Sequence, residues 1–127
     1  MRLNQITLSV TDMAAAVEFY LTLGAIQIVD TPHYARFALP EGDESFSLHL
    51  RKEPPSPGHC LYFESERLDE WVAELKSRGL SFKGEPEDKP WLWREAELTD
   101  PSGNTIKLFY AAENRLNPPW RVEKRKY

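Results

Sequence analysis

An order of elements that occurs twice constrains the fold of this 127-residue chain more than any other feature. In each half, an alternating apolar pattern typical of a strand precedes a helical pattern that ends at a glycine, and three further strand patterns follow. The two helix-ending glycines are Gly24 and Gly79, and the sequence also aligns Gln5 with His59 and His49 with Lys107. The pattern predicts two βαβββ units and therefore an α+β fold.

In the first half, Asp12 is suited to cap a helix, because its side chain can accept a hydrogen bond from a free N–H of the first turn. We expect a helix over residues 14–23 and strands over residues 4–10, 26–30, 34–39 and 45–51. The first unit is expected to span residues 1–53. A stiff connector rich in proline follows it at residues 54–58.

In the second half, the expected unit spans residues 58–111. We expect a helix over residues 68–78 and strands over residues 59–64, 80–83, 92–98 and 105–110. Pro101 and Gly103 predict a tight turn just before the last strand. In that strand Ile106 and Leu108 alternate with Lys107, so the lysine is expected on the face that turns away from the core.

Composition excludes several classes of protein. The net charge of −4 provides no basic field for nucleic acid, and no apolar run is long enough to cross a membrane. A single cysteine, Cys60, excludes an intramolecular disulfide and a thiolate metal cage, and its apolar surroundings predict a small buried side chain. With no signal-peptide pattern, we expect a cytoplasmic protein.

Three segments carry a resemblance to a known superfamily. The segments LNQITLSVTDMAAAVEFY, PGHCLYFES and DPSGNTIKLF, in this order and spacing, resemble the glyoxalase/bleomycin-resistance/extradiol-dioxygenase (vicinal oxygen chelate) superfamily. The resemblance covers most of residues 1–111 and implies one domain of paired cupped mixed β-sheets with the helices outside. Residues 112–127, which contain Trp120 and end in basic residues, are expected to be a C-terminal extension. The resemblance also implies a homodimer with a small-molecule ligand in its clefts.

The superfamily places four metal ligands on four strands, and this chain has Gln5, His49, His59 and Lys107 at the corresponding positions. The resemblance therefore implies a divalent metal (Ni, Zn, Mn or Fe) bound by Gln5, His49 and His59. The activity would be that of a metal-dependent lyase, isomerase or dioxygenase. Lys107 stands where the superfamily usually has Glu, and a protonated ammonium has no lone pair to donate to a metal. Glu95 or Glu97 on the preceding strand is an alternative source of a carboxylate.

The second hypothesis is a cleft without metal. Lys107 and Arg51 would hold a small anionic ligand through charge-assisted hydrogen bonds. Aromatic side chains on the same strand faces and on a nearby segment would stack on the ligand: Phe63, Trp91, Trp93 and Phe109. Such a protein would resemble the bleomycin-resistance type, which sequesters a drug without turnover.

Two further alternatives remain open from the sequence. Lys107 could act in catalysis as a Schiff-base or proton-transfer lysine, with His59 or His49 as the base. Alternatively, these polar strand faces simply contact water, and Trp71 and Trp93 belong to the core or to a dimer interface.

Overall fold

The computed structural model describes residues 1–122. Two helices and eight strands form the fold. In chain order they are β1 (Gln5–Val10), α1 (Met13–Leu23), β2 (Ile26–Asp30), β3 (Tyr34–Ala38), β4 (Ser45–Leu50), β5 (Cys60–Glu64), α2 (Leu68–Ser77), β6 (Glu87–Asp88), β7 (Arg94–Thr99) and β8 (Thr105–Tyr110). A short 3₁₀ helix, Ala112–Arg115, follows β8.

The strands form two four-stranded mixed sheets of the same topology. The strand order is β1-β4-β3-β2 in the first sheet and β5-β8-β7-β6 in the second. In each sheet the first strand runs parallel to the last strand of its own unit, and the other neighbours are antiparallel. The predicted α+β fold of two βαβββ units is confirmed.

The ends of the first helix follow from its sequence. Asp12 caps α1, since its carboxylate accepts a hydrogen bond from the N–H of Ala15 at 3.0 Å. Gly24 ends the helix with φ 119°, a left-handed conformation that glycine adopts without a Cβ clash. Both features agree with the sequence expectation.

One face of each sheet contributes to a common hydrophobic core. Phe46 of β4 and Phe63 of β5 meet edge to face, with ring centroids 5.9 Å apart. Tyr20 of α1 is fully buried and packs against both Phe37 and Phe46 of the first sheet. These contacts join the core faces of the two sheets directly.

The turn between β7 and β8 is a buried polar junction. The carboxylate of Asp100 accepts hydrogen bonds from the N–H groups of Ser102 and Asn104 and from the Asn104 side-chain amide, each at 2.9 Å. The same carboxylate accepts a hydrogen bond of 2.6 Å from the hydroxyl of Tyr20 in α1. Buried polar groups must be paired in this way to avoid a desolvation cost.

The same turn connects the second unit to β1. The Ser102 hydroxyl accepts a hydrogen bond from the N–H of Thr11 at 3.0 Å, and the Asn104 amide donates to the carbonyl of Ser9 at 3.0 Å. The Asn104 side-chain oxygen accepts a hydrogen bond from the N–H of His59 at 2.9 Å. The turn thus has a structural role that goes beyond reversing the chain.

One predicted strand is wrong. Residues 80–83 form no strand, although the N–H of Lys83 donates to the carbonyl of Glu97 at 2.8 Å. The fourth strand of the second sheet is instead the two-residue β6 at Glu87–Asp88. Gly84, at φ 98°, and Pro86 interrupt the extended pattern between these places. Leu92, at φ 66°, sits in a turn and delays the start of β7 from the predicted residue 92 to Arg94.

Cys60 is exposed, so the prediction of a buried thiol is wrong. Leu61 and Phe63 are the side chains that β5 directs into the core, and alternation along the strand turns Cys60 the other way. Ile6, the second residue of β1, is 40% exposed.

The residues that follow β8 contact the end of β5 in the second sheet. The guanidinium of Arg115 lies 3.7 Å from the carboxylate of Glu64, whose second oxygen accepts from the N–H of Ala111 at 2.9 Å. Trp120 is 57% exposed, and the basic residues 124–126 lie outside the described residues. Within residues 1–122, no helix has the length and apolar character needed to span a membrane.

Candidate functional site

The face of the first sheet that turns away from the core is polar. Strand register places the pairs Gln5/Ser45, Thr7/Ser47 and Ser9/His49 side by side on β1 and β4, and Tyr34/His49 and Arg36/Ser47 on β3 and β4. We call this surface the first polar face; its residues are Gln5, Thr7, Ser9, Tyr34, Arg36, Ser45, Ser47 and His49.

A hydrogen-bond chain crosses the first polar face. The hydroxyl of Ser45 donates to the side-chain oxygen of Gln5, and the Gln5 amide nitrogen donates to the Ser47 oxygen at 2.6 Å. The hydroxyls of Ser47 and Tyr34 are 2.5 Å apart, and Nε of Arg36 donates to the Tyr34 oxygen at 3.0 Å. The chain therefore couples three strands.

The corresponding face of the second sheet is aromatic and charged. We call it the second polar face; its residues are Cys60, Tyr62, Trp93, Glu95, Glu97, Lys107 and Phe109. Trp93 and Phe109 stack with ring centroids 4.5 Å apart and an interplanar angle of 15°. Tyr62 meets both rings edge to face, at 5.8 and 5.7 Å. Trp93 and Phe109, two of the residues predicted to stack on a ligand, thus contact each other on this face.

Lys107 is paired with a buried carboxylate on this face. Its Nζ lies 3.6 Å from Oε1 of Glu95, which is 5% exposed, and 5.6 Å from the centre of the Tyr62 ring. The indole N–H of Trp91 donates to the other oxygen of Glu95 at 2.6 Å. Trp91, Glu95 and Lys107 line a cavity of about 290 Å³ together with Lys83, Glu85, Glu87, Lys89, Ala96 and Glu97.

The charges around Lys107 keep it protonated. Burial, the largest single influence, lowers the pKa of its ammonium, but Tyr62 and the carboxylates of Glu95 and Glu97 together raise that pKa above its usual value. A lysine nucleophile or a lysine metal ligand would need the opposite shift.

The structure does not bring the four sequence-predicted metal positions together. Gln5 of β1 lies beside Ser45, the first residue of β4. His49 is four residues further along β4 than Ser45, which separates it from Gln5 by about 13 Å at roughly 3.3 Å per residue. His59 precedes β5 in an exposed position, and Lys107 belongs to the other sheet. Gln5 is also held by its hydrogen bonds to Ser45 and Ser47.

The repeat correspondences predicted from the sequence are wrong by one and two residues. Gln5 opens β1 and pairs with the first residue of β4, and Cys60 opens β5 and pairs with the first residue of β8. Gln5 therefore corresponds to Cys60 and not to His59. The pairs Thr7/Ser47 and Tyr62/Lys107 likewise make Ser47, and not His49, the counterpart of Lys107.

The donor atoms of a single chain do not fit a divalent metal. Within residues 1–122, no three His, Cys, Asp or Glu side chains lie close enough together to hold one ion. The Gln5 oxygen already accepts a hydrogen bond, and the Glu95 and Glu97 carboxylates are paired with Lys107 and Lys83. We therefore derive no reaction step through a metal.

Two of the expected ligand-binding residues lie apart from Trp93 and Phe109. The expectation that Phe63 shares their face is wrong, since Phe63 is in register with Leu108 and packs toward the core. Arg51 follows β4 in an exposed position, and its N–H donates to the carbonyl of Val10 at 2.8 Å. Trp71 packs against the core, in agreement with one of the alternatives left open from the sequence.

Several residues that form the hydrogen bonds and ring contacts of the two faces were not predicted from the sequence. Tyr34, Arg36 and Ser47 on the first polar face, and Tyr62 on the second, were not singled out. The alternation of β3 could have indicated two of them. Tyr34 and Arg36 are two residues apart and therefore share a face, while Ala35 and Phe37 point to the other face and are buried. The register that brings them beside Ser47 was not visible.

The two polar faces are not joined within one chain. Among residues 1–122, no hydrogen bond, ion pair or ring contact links them, and the cavity beside Lys107 is lined by no residue of the first polar face. A larger groove of about 650 Å³ runs between the units, lined by the α1–β2 and β3–β4 connections and by residues from β5 to α2, away from the first polar face. In the part of the chain that the structure describes, the two polar faces are thus separate surfaces.

Known proteins share this architecture. A relative from Bacillus sp. (strain MD1), a trivalent organoarsenical cleaving enzyme, is 30% identical over an alignment of 138 positions that covers 94% of this chain and 81% of the relative. A glyoxalase/bleomycin resistance protein/dioxygenase from Nocardioides superposes with a TM-score of 0.78 at 24% identity, covering 97% of this chain and 90% of that one. TnmS3, an antibiotic binding protein from Streptomyces sp. CB03234, superposes with a TM-score of 0.71 at 28% identity, covering 87% and 96%.

A family model covers nearly the whole described chain. The model of the Glyoxalase/Bleomycin resistance protein/Dioxygenase superfamily matches residues 2–108, which include all eight strands except the last two residues of β8. Together with the two βαβββ units, this match shows that the chain belongs to the glyoxalase/bleomycin resistance protein/dioxygenase superfamily.

Proposed function

We propose that this protein binds a small molecule in a cleft formed between two copies of the chain. The first polar face of one copy would be one wall, and the second polar face of the other copy would be the opposite wall. The observation that carries this proposal is that the two polar faces are separate surfaces of the described chain, joined by none of its hydrogen bonds, ion pairs or ring contacts. A twofold dimer would form two such clefts.

The chemistry of the two faces suits a ligand with a polar end and an aromatic body. The first polar face offers hydroxyl and guanidinium donors from Tyr34 and Arg36. The second offers the rings of Tyr62 and Trp93, with the buried ring of Phe109 stacked behind Trp93, and these two rings can stack on a planar group or meet it edge to face. In pockets of this composition, a few polar groups of the protein orient the ligand, and apolar contact provides affinity.

Binding without turnover fits the described side chains best. Lys107 is protonated and paired, so it offers no amine nucleophile. TnmS3, at 28% identity, is described as an antibiotic binding protein, which supports a sequestering role.

The proposal is tested by following tryptophan fluorescence during titration with three benzene derivatives of different charge: benzyl alcohol, phenylphosphonate and benzylamine. We expect saturable quenching by at least one of them, loss of that quenching in Trp93→Leu, and no change in the matched control Trp120→Leu. The bound compound should be recovered unchanged by chromatography. Absence of saturable binding by all three at millimolar concentration, or conversion of the bound compound, would reject the proposal.

A second candidate function is cleavage of a trivalent organoarsenical, which the 30% identical Bacillus relative favours by its name. It ranks second because soft As(III) prefers thiolates and this chain has one cysteine, Cys60. The test is incubation with methylarsonous acid and Ni²⁺, Zn²⁺, Mn²⁺ or Fe²⁺, followed by measurement of inorganic arsenic. Metal-dependent release that is lost in His59→Ala would support this function. No release with any metal would exclude it.

A further inference from the structure

The hydroxyl of Ser47 has one possible acceptor. Ser47 is fully buried, so its O–H must donate within the protein. Its hydrogen-bond partners among residues 1–122 are the Gln5 amide nitrogen at 2.6 Å and the Tyr34 oxygen at 2.5 Å. An amide nitrogen only donates, so the Ser47 proton points at the Tyr34 oxygen.

The orientation of the Gln5 amide supports this assignment. Its nitrogen lies 3.4 Å from the carbonyl oxygen of Ile6, which can only accept. Its oxygen accepts from the hydroxyl of Ser45. Rotating the amide by 180° would place an oxygen beside the Ile6 carbonyl, so the nitrogen belongs on the side of Ser47.

Tyr34 therefore accepts two hydrogen bonds and keeps its own proton for another partner. One bond comes from Ser47 and the other from Nε of Arg36 at 3.0 Å. Both donors occupy the lone pairs of the phenolic oxygen, which leaves the Tyr34 O–H directed away from them. Two donors on that oxygen also polarise the O–H bond and make it a stronger hydrogen-bond donor.

Arg36 adds an unneutralised positive charge beside this hydroxyl. Its side chain is exposed, it lies 5.4 Å from the centre of the Tyr34 ring, and within residues 1–122 it forms no ion pair. The terminal nitrogens of its guanidinium remain available, and a guanidinium matches the geometry of carboxylate and phosphate oxygens.

We propose that Tyr34 and Arg36 form an oxyanion-binding site on the first polar face, which takes a ligand carrying a carboxylate, phosphonate or phosphate group. Ser47 and Gln5 are positioning residues that hold the Tyr34 oxygen as an acceptor. This inference rests on the proposed binding function and names its ligand class. It also moves the anion site from Lys107, whose charge is matched by Glu95, to the other sheet.

The ionisation of the phenol agrees with this geometry. Hydrogen bonds from Ser47 and then from Arg36 lower the pKa of Tyr34 below its usual value, because both donors favour the phenolate. His49, in register with Tyr34 on β4, is the other titratable group on the same face. The same stabilisation of negative charge on the phenol oxygen makes its proton easier to share with an anion.

The test is calorimetric titration with phenylphosphonate and with benzyl alcohol, which lacks the charge. We expect the dissociation constant for phenylphosphonate to rise about tenfold or more in Tyr34→Phe and in Arg36→Gln, the range of a hydrogen bond to a charged group. Affinity for benzyl alcohol should fall much less, because the hydrogen bond lost there is to a neutral group. The matched controls are Tyr110→Phe and Arg2→Gln, an exposed tyrosine and an exposed arginine outside both polar faces.

The outcomes separate this inference from the binding function. If Tyr34→Phe and Arg36→Gln, folded by circular dichroism, bind phenylphosphonate as tightly as the parent, the oxyanion site is wrong and the cleft stands. If the parent binds benzyl alcohol but does not bind phenylphosphonate, the oxyanion site is likewise wrong and the cleft stands. If the parent binds neither compound nor benzylamine, both proposals are wrong. Ser47→Ala should weaken phenylphosphonate binding less than Tyr34→Phe does, because it frees the hydroxyl without removing it.

Discussion

At the scale of single residues, the pair of Tyr20 and Asp100 links the first helix to the second sheet. Burial, followed by the negative charge of Asp100 and the hydrogen bond between them, raises the pKa of Tyr20 far above its usual value. The folded protein therefore keeps this phenol protonated when the unfolded chain, with a tyrosine pKa of about 10, would release the proton. Stability from this group is complete below about pH 10 and is lost as the pH rises further.

Above about pH 10.5, we expect the free energy of unfolding to fall more steeply with pH in the parent than in Tyr20→Phe. The difference between the two slopes should be roughly 1.4 kcal/mol per pH unit. At neutral pH Tyr20→Phe should be less stable by about 1–3 kcal/mol, because Asp100 loses a donor in a buried site. Urea unfolding at several pH values measures both effects. Tyr110→Phe, at an exposed tyrosine, is the control. Parallel pH curves for the parent and Tyr20→Phe would contradict this account.

At this scale, the sequence predicted which side chains of one strand share a face, because they alternate, but it did not predict which side chains of different strands contact each other. Lys107 and Phe109 could be placed on one face of β8 because every second residue of a strand points the same way. The partnership of Lys107 with Glu95 and of Tyr34 with Ser47 depends on which strands are neighbours and in what register. No local pattern in the sequence contains that information.

At the scale of elements, strand register decides which side chains share a face. The prediction that β5 starts at His59 was one residue early, and a shift of one residue moves every side chain to the opposite face. As a result, His59 was predicted on the outward face where the structure has Cys60, and Phe63 was predicted on the face of Phe109 although it points to the core. The order and type of the elements were predictable because periodicity and helix caps are local. The two-residue β6 was not, because so short a strand leaves no period to detect.

The contact between the connector and the β7–β8 turn gives a prediction at the same scale. A Cβ on Gly58 would lie 2.5 Å from the carbonyl oxygen of Gly103, so backbone would have to move. We expect Gly58→Ala to lower the free energy of unfolding by about 1–3 kcal/mol, the usual cost of overpacking. Ser56→Ala, in the same connector and exposed, is the control in urea unfolding. Equal stability of the two variants would show that this close approach is not needed.

At the scale of the whole molecule, the fold separates the two polar faces, which the proposed function must bring together. The core faces of the sheets meet through Phe46 and Phe63, which leaves the two polar faces on separate surfaces of one chain. The superfamily resemblance implied a homodimer, but no pattern in a single sequence shows which face of one copy meets which face of the other. The candidate site was therefore predictable as two lists of residues and not as one cleft.

The most direct test of a shared cleft is complementation between two inactive chains. Tyr34→Phe/Arg36→Gln alters the first polar face and Trp93→Leu alters the second, so we expect neither variant alone to bind phenylphosphonate. Unfolding the two together in equal amounts and refolding them should restore binding to about one quarter of the sites, since half of random twofold dimers are mixed and each holds one intact cleft. The measurement is the stoichiometry of phenylphosphonate binding by calorimetry. Recovery near one quarter is the result we predict; no recovery in refolded mixed dimers would contradict a cleft built from two chains.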